Sequence, residues 1–185
     1  MVTVVSFLRG VNVGGYHKIR MEELRKVYEA LGLEDVKTLL QSGNVVFRTR
    51  ERNLQKLAGR IEAAIEERWG FRPAVILRTA AEMAEAMARN PFAGRKDVEP
   101  AKLAVVFLGS DPGEEVREAV RRIPCDPEEL RIEGREMYIY FPNGMGRPRL
   151  SMPVVERTLK VAATARNWNT VRKLGELAGS MVDGR

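Results

Sequence analysis

Val2-Thr3-Val4-Val5-Ser6-Phe7-Leu8 runs straight into Arg9-Gly10, and Leu103-Ala104-Val105-Val106-Phe107-Leu108 runs straight into Gly109. Short apolar runs rich in β-branched residues and closed by a breaker read as buried strands. Working outward from the first, a loop over Gly10 to Arg20 leads to Met21, Leu24, Val27, Tyr28 and Leu31 at helical spacing, stopped by Gly32. Val36 to Leu40 and Val45 to Arg48 flank Gln41-Ser42-Gly43-Asn44, a hairpin turn in which glycine supplies a positive φ. Asn53 is placed to cap a second helix with the stripe Leu54, Leu57, Ile61, Ile65 and Trp69, ended by Gly70. Ala74 to Leu77 then supplies a fourth strand. The order is βαββαβ, the split-βαβ or ferredoxin-like unit.

Outward from the second run the outline recurs. Asp111-Pro112-Gly113-Glu114 supplies an N-cap, a proline for the first helical position and a capping-box acid. Val116, Ala119, Val120 and Ile123 form the stripe of that helix. Leu130 to Glu133 and Met137 to Phe141 read as strands around Gly134, and Pro153 opens a helix carrying Val154, Val155 and Leu159. Between the halves, Thr79-Ala80-Ala81-Glu82 has capping-box spacing and opens a helix through Met87. The breakers and charges from Asn90 to Pro100 mark a boundary. The expectation is an α+β chain of two ferredoxin-like (βαββα-type) halves, a pseudo-duplication, with C-terminal helices. Residues 1–90 form the first half, 91–100 a connector, and 101–185 the second half with the terminal helices.

Composition narrows the class. An apolar fraction of 44% with 30% charged residues is that of a globular chain, not a disordered one. No run reaches the roughly 20 apolar residues of a membrane helix, and residues 2–8 lack the cationic leader of a signal peptide. The single cysteine, Cys125, cannot form an internal disulfide, which points to a reducing compartment, the cytoplasm. The net charge of +6 is uneven: residues 1–72 carry 13 basic and 9 acidic side chains, residues 73–141 carry 10 and 13, and residues 142–185 carry 8 and 3. Two basic ends around an acidic middle favour an anionic partner if the ends share a surface.

The eleven-residue loop after the first strand is long for a compact α/β connection, which usually takes about 2–6 residues, and long loops often carry ligands. It holds Arg9, Asn12, Gly14, Gly15, Lys18 and Arg20, and open glycine amides followed by a helix are suited to an anion. Ser42 and Asn44 lie on the first hairpin. Arg147 and Arg149 follow the glycine-rich turn Gly144-Met145-Gly146. Thr164-Ala165-Arg166-Asn167-Trp168-Asn169-Thr170 precedes an amphipathic helix for which Asn167 or Asn169 is the N-cap. There Arg166 suits a bidentate anion contact and Trp168 a stacked base, against the plainer role of packing under the helix. The binding candidates are Arg9, Asn12, Gly14, Gly15, Lys18, Ser42, Asn44, Arg166, Asn167, Trp168 and Asn169.

Several chemistries fall away. One histidine, His17, and one cysteine exclude a cysteine–histidine zinc site within one chain, and a histidine-dependent hydrolase would have to use His17. Gly10 and Gly15 have the spacing of the P-loop glycines, but Tyr16 and His17 stand where the lysine and the hydroxyl residue belong. The identity of any cofactor is not legible in the sequence.

The stretches Leu8-Arg9-Gly10-Val11-Asn12-Val13-Gly14-Gly15, Gln41-Ser42-Gly43-Asn44-Val45-Val46-Phe47, Pro142-Asn143-Gly144-Met145-Gly146 and Thr164 to Thr170 occur in an order that resembles the bacterial domain-of-unknown-function family 1697. The resemblance spans nearly the whole chain. It implies a cytosolic α+β protein with ferredoxin-like halves and no established activity. It places the recurrent polar positions at Arg9, Asn12, Gly14, Gly15, Ser42, Asn44, Arg166, Asn167 and Asn169. The chain departs from the family pattern at Tyr16-His17, where Lys-Asn is common, and at Pro148-Arg149-Leu150, where Ser-Lys-Leu is usual. The leading functional expectation is a protein that binds a phosphorylated ligand, nucleotide or nucleic acid through the Arg9–Gly15 loop, away from membranes. The alternatives are an enzyme with an acid or base near His17, and a structural or partner-binding module without a small ligand. Oligomeric state is not legible in the sequence.

Overall fold

A computed structural model describes residues 1–184. The chain divides into two compact units: Met1–Glu85 together with the segment from Lys173 onward, and Ala86–Arg172. Each holds one four-stranded antiparallel sheet.

In the first unit the elements are β1 (Val2–Leu8), α1 (Met21–Ala30), β2 (Glu34–Leu39), β3 (Asn44–Thr49), α2 (Leu54–Trp69) and β4 (Val75–Thr79), followed by α3 (Ala80–Ala88). The sheet order is β2-β3-β1-β4, with Val5 facing Val46 on one side and Arg78 on the other. Side chains alternate across a strand. One set (Val4, Leu8, Val45, Phe47, Val75, Leu77) packs with Leu24 and Tyr28 of α1 and Leu57, Ile61 and Ile65 of α2. The other set (Val5, Phe7, Val46, Ile76) is buried too, which is why β1 reads as an unbroken apolar run. Each fully buried aliphatic side chain here contributes about 1.5–3 kcal/mol. Ser6, the one hydroxyl at the centre of this run, shares a 2.8 Å hydrogen bond with the Tyr28 hydroxyl, and burial pushes that phenol above its ordinary range.

Local chemistry sets the element ends. Asn53 Oδ1 accepts from the Lys56 amide at 2.9 Å to start α2, and Gly70 at φ 77° ends it. The capping box forms at α3: the Thr79 amide donates to Glu82 Oε2 at 2.8 Å and the Glu82 amide to Thr79 Oγ1 at 3.1 Å. Gly43, at φ +78°, sits so tightly against β1 that an added Cβ would lie 2.8 Å from Leu8 Cβ. The Gly43 carbonyl there accepts from the Leu8 amide.

In the second unit a 3₁₀ turn (Pro100–Lys102) leads into β5 (Leu103–Leu108), α4 (Glu114–Arg121), β6 (Glu129–Glu133), β7 (Glu136–Tyr140), α5 (Met152–Leu159) and β8 (Ala163–Asn167); α6 (Trp168–Asp183) starts in this unit and belongs to the first from Lys173 onward. The sheet order is β6-β7-β5-β8. Val106, Leu108, Met137, Ile139 and Ile132 pack with Val120 of α4 and with Val155 and Leu159 of α5.

Two expectations are corrected here. The helix expected at Asp111 begins at Glu114 instead, with Gly113 at φ 85° as its N-cap. Asp111 bonds the Gly113 amide at 2.8 Å and Arg117 at 2.7 Å, so the carboxylate closes a turn ahead of the helix in place of a capping box. Residues 163–167, read as an approach to the last helix, form the edge strand β8 beside β5. Their Ala-Thr-Ala-Arg-Asn sequence carries little strand propensity, and the ladder with β5 overrides it.

Candidate functional site

The first loop is a small hairpin in its own right. Val13 and Tyr16 form a bridge, the Tyr16 amide donates to the Val13 carbonyl at 3.0 Å, and Gly14 and Gly15 take φ values of 58° and 79°. Positive φ at both central residues is the requirement of a type I′ turn, which glycine meets without strain. The glycines therefore stand at an exposed tip, six residues and more before α1, and not at the helix N-terminus where the sequence suggested an anion cradle. Gly14 and Gly15 amides make no hydrogen bond among the described residues.

Asn12 holds this tip in place. Its Nδ2 donates to the Ile19 carbonyl at 3.0 Å and to the Gln41 carbonyl at 2.6 Å, while Oδ1 accepts from the Ile19 amide at 2.9 Å. The residue sits at φ 56°, a region asparagine tolerates better than other side-chain-bearing residues. One amide thus closes the loop on itself and ties it to the turn between β2 and β3. His17 completes the closure: its Nδ1–H donates to the Gly10 carbonyl at 3.3 Å, and its ring stacks on Phe71 with centroids 4.1 Å apart.

Asn12, Gly15, Lys18, Ile19, Arg20, Glu23 and Gln41 line an open groove of about 570 Å³. That is within the size range of small-ligand sites. Lys18 and Arg20 make no ion pair among the described residues. Glu23, the one acid on the wall, is engaged by Arg68 at 3.3 Å. The neighbouring acids of α1 are similarly occupied, Glu22 by Lys26 and Glu29 by Arg25. The groove is left with two cationic side chains that make no ion pair among the described residues.

The structure brings Asn12, Gly15 and Lys18 into this one groove, together with Arg20. Arg9 lies on the same loop, exposed, with its amide bonded to the Ala74 carbonyl at 3.0 Å. Asn44 is fully buried and donates from Nδ2 to Ser42 Oγ and the Leu39 carbonyl, both at 2.9 Å, so this pair buckles the β2–β3 turn. In the second unit Arg166 is buried on β8 opposite Val105, where its Nη1 donates to Thr164 Oγ1 at 2.7 Å and to the Ala165 carbonyl at 2.8 Å. Burial pushes this guanidinium down to about 10. Asn167 proves to be the helix cap: Oδ1 accepts from the Asn169 amide at 2.9 Å and Nδ2 donates to the Ala101 carbonyl at 2.7 Å. Trp168 is half-buried as the first residue of α6, and Asn169 is exposed.

Sequence reasoning missed Gln41, whose contribution is a backbone carbonyl and so leaves no side-chain signature. It also missed Glu128, a buried carboxylate that accepts from the Arg149 and Leu150 amides at 3.0 and 2.9 Å and fixes the strand-to-helix turn there. Among the described residues no group of three His, Cys, Asp or Glu side chains is placed to hold a metal ion, and no helix is long and apolar enough to cross a membrane.

Comparison with known proteins adds the following. A family model described as a protein of unknown function (DUF1697) matches residues 1–138. The solved structure of a conserved bacterial protein from Streptococcus pneumoniae is similar to this chain, with a TM-score of 0.74 and 24% identity, over 97% of this chain and 99% of that one. At that identity the likeness is one of fold. A comparison with curated proteins found no match.

Proposed function

We propose that this chain, which belongs to the DUF1697 family of proteins of unknown function, binds a phosphate-bearing anion in the groove between the first loop and the β2–β3 turn. The observation that carries the proposal is the pairing pattern. Lys18 and Arg20 stay without acid partners among the described residues, on a wall whose one carboxylate is paired with Arg68. A phosphate oxygen accepts from lysine and from the arginine fork, and the Gly14 and Gly15 amides, which make no hydrogen bond among the described residues, are additional donors. Asn12 spends its side-chain amide, and His17 its Nδ1, on closing the loop, which makes them supports of the site.

We also take each unit as a ferredoxin-like βαββαβ repeat and the pair as the product of a duplication, working in the cytoplasm. The shared strand order supports this, as does the buried arginine at the same ladder step, Arg78 opposite Val5 and Arg166 opposite Val105.

A thermal-shift titration with inorganic tripolyphosphate at low salt tests the binding. The melting temperature should rise saturably for the native chain, and the rise should disappear in the double variant Lys18→Gln, Arg20→Gln. No rise for the native chain, or an equal rise for the variant, overturns the proposal.

A further inference from the structure

We infer that the ligand of this groove is single-stranded nucleic acid, with Tyr16 as a stacking platform for a base; the inference rests on the anion-binding reading above and specifies it. Tyr16 is 76% exposed, the most exposed of the six large hydrophobic side chains that face solvent among the described residues. Two others, Val13 at 62% and Leu40 at 51%, stand on the same pair of loops, which the Asn12–Gln41 hydrogen bond ties together. Single exposed apolar residues are ordinary on a protein surface, whereas several on adjoining segments mark a contact site.

The geometry around Tyr16 suits a flat aromatic partner. The ring stands beside Gly14, where an added Cβ would lie 3.8 Å from Tyr16 Cδ2, an ordinary contact that a glycine leaves open. No aromatic ring or cation is stacked on Tyr16 among the described residues. The hairpin beneath is fixed by the Val13–Tyr16 bridge, the Asn12 bonds and the His17–Phe71 stack, so little freedom is lost when a ligand seats.

A base on Tyr16 with its phosphate toward Lys18 and Arg20 uses both the apolar tip and the cationic wall. Neither feature alone explains the other. The groove is open and residues 1–72 carry an excess of four basic side chains, which favours a polyanion that continues past the site over a lone mononucleotide.

The test is fluorescence anisotropy at low salt with two labelled probes of equal length. One is a single-stranded DNA oligomer of mixed sequence and the other is its abasic counterpart, which keeps the sugars and phosphates. The base-bearing oligomer should bind at least about tenfold more tightly. Tyr16→Ala should remove most of that advantage, a loss of roughly 5- to 100-fold, while Tyr16→Phe retains it. Lys18→Gln should weaken both probes alike. Tyr16 is exposed, so its variants should keep the native melting temperature, and that is measured alongside. Equal affinity for the two probes, or equal affinity for a mononucleotide and the oligomer, overturns the nucleic-acid assignment and leaves anion binding standing. Failure of both probes and of tripolyphosphate overturns the two together.

Discussion

Replacing Asn12 by alanine removes three hydrogen bonds that close the first loop: two donated by Nδ2 and one accepted by Oδ1. Each is worth about 0.5–1.5 kcal/mol net. Because the side chain is only half-buried, the lower half of that range applies, giving about 2 kcal/mol. Alanine must also adopt φ 56°, which adds about 1 kcal/mol for a side chain that gains no local bond there. The expected destabilisation is therefore about 3 kcal/mol, or roughly 6–12 °C in melting temperature for a chain of this size. Asn12→Gly loses the same bonds without the backbone strain and should sit about 1 kcal/mol above the alanine variant. Thermal melts followed by circular dichroism measure the two differences. Amide exchange at Ile19, whose N–H is bonded to Asn12 Oδ1, should accelerate in both. The reasoning is refuted if Asn12→Ala melts within the error of the native chain, or if Ile19 exchange is unchanged.

Gly43→Ala meets both a left-handed φ and a Cβ contact of 2.8 Å against β1, and should cost about 2–4 kcal/mol in urea unfolding. Gly10→Ala, with a similar φ and open space around it, should cost only about 1–2 kcal/mol; equal losses would show that the β1 contact is unimportant. Acid should weaken the second unit in a defined way. Hydrogen bonds from Arg95 hold Asp97 and Glu129 below the usual carboxylate range. Carboxyls with a depressed folded pKa contribute stability that is present above their unfolded value, about 4, and lost as pH falls through the folded value. Melting temperature should be level from about pH 7 to 5 and drop below about pH 4, and Arg95→Gln should shallow that drop. An unchanged acid limb in the variant would count against the cause assigned.

The legible part of this chain was its alternation of runs and breakers. β1, β5, the stripe Leu57–Ile61–Ile65 and the Thr79–Glu82 capping box follow from residue pattern because each is decided by side chains close in sequence. β8 was not legible, since Ala163 to Asn167 is a strand only through its ladder with β5. At the site, the pattern drew attention to Gly14, Gly15, Asn12 and Lys18, and three of these line the groove. What it did not reveal was the division of labour. Asn12 and Asn44 look like ligand groups in the sequence but spend their amides on backbone carbonyls and a neighbouring hydroxyl. Arg166 is turned inward by the pleat of β8. The freedom of Lys18 and Arg20 depends on which distant acids are already occupied, as Glu23 is by Arg68, forty-five residues away along the chain.

The most direct measurement is a titration of the ¹⁵N-labelled native chain with inorganic tripolyphosphate, read by amide chemical shifts. Anion binding in the groove predicts saturable shifts concentrated at Gly14, Gly15, Lys18, Ile19, Arg20 and Gln41, with one affinity common to all six. Shifts scattered over the basic surface without saturation, or no shifts in the first loop, would contradict it.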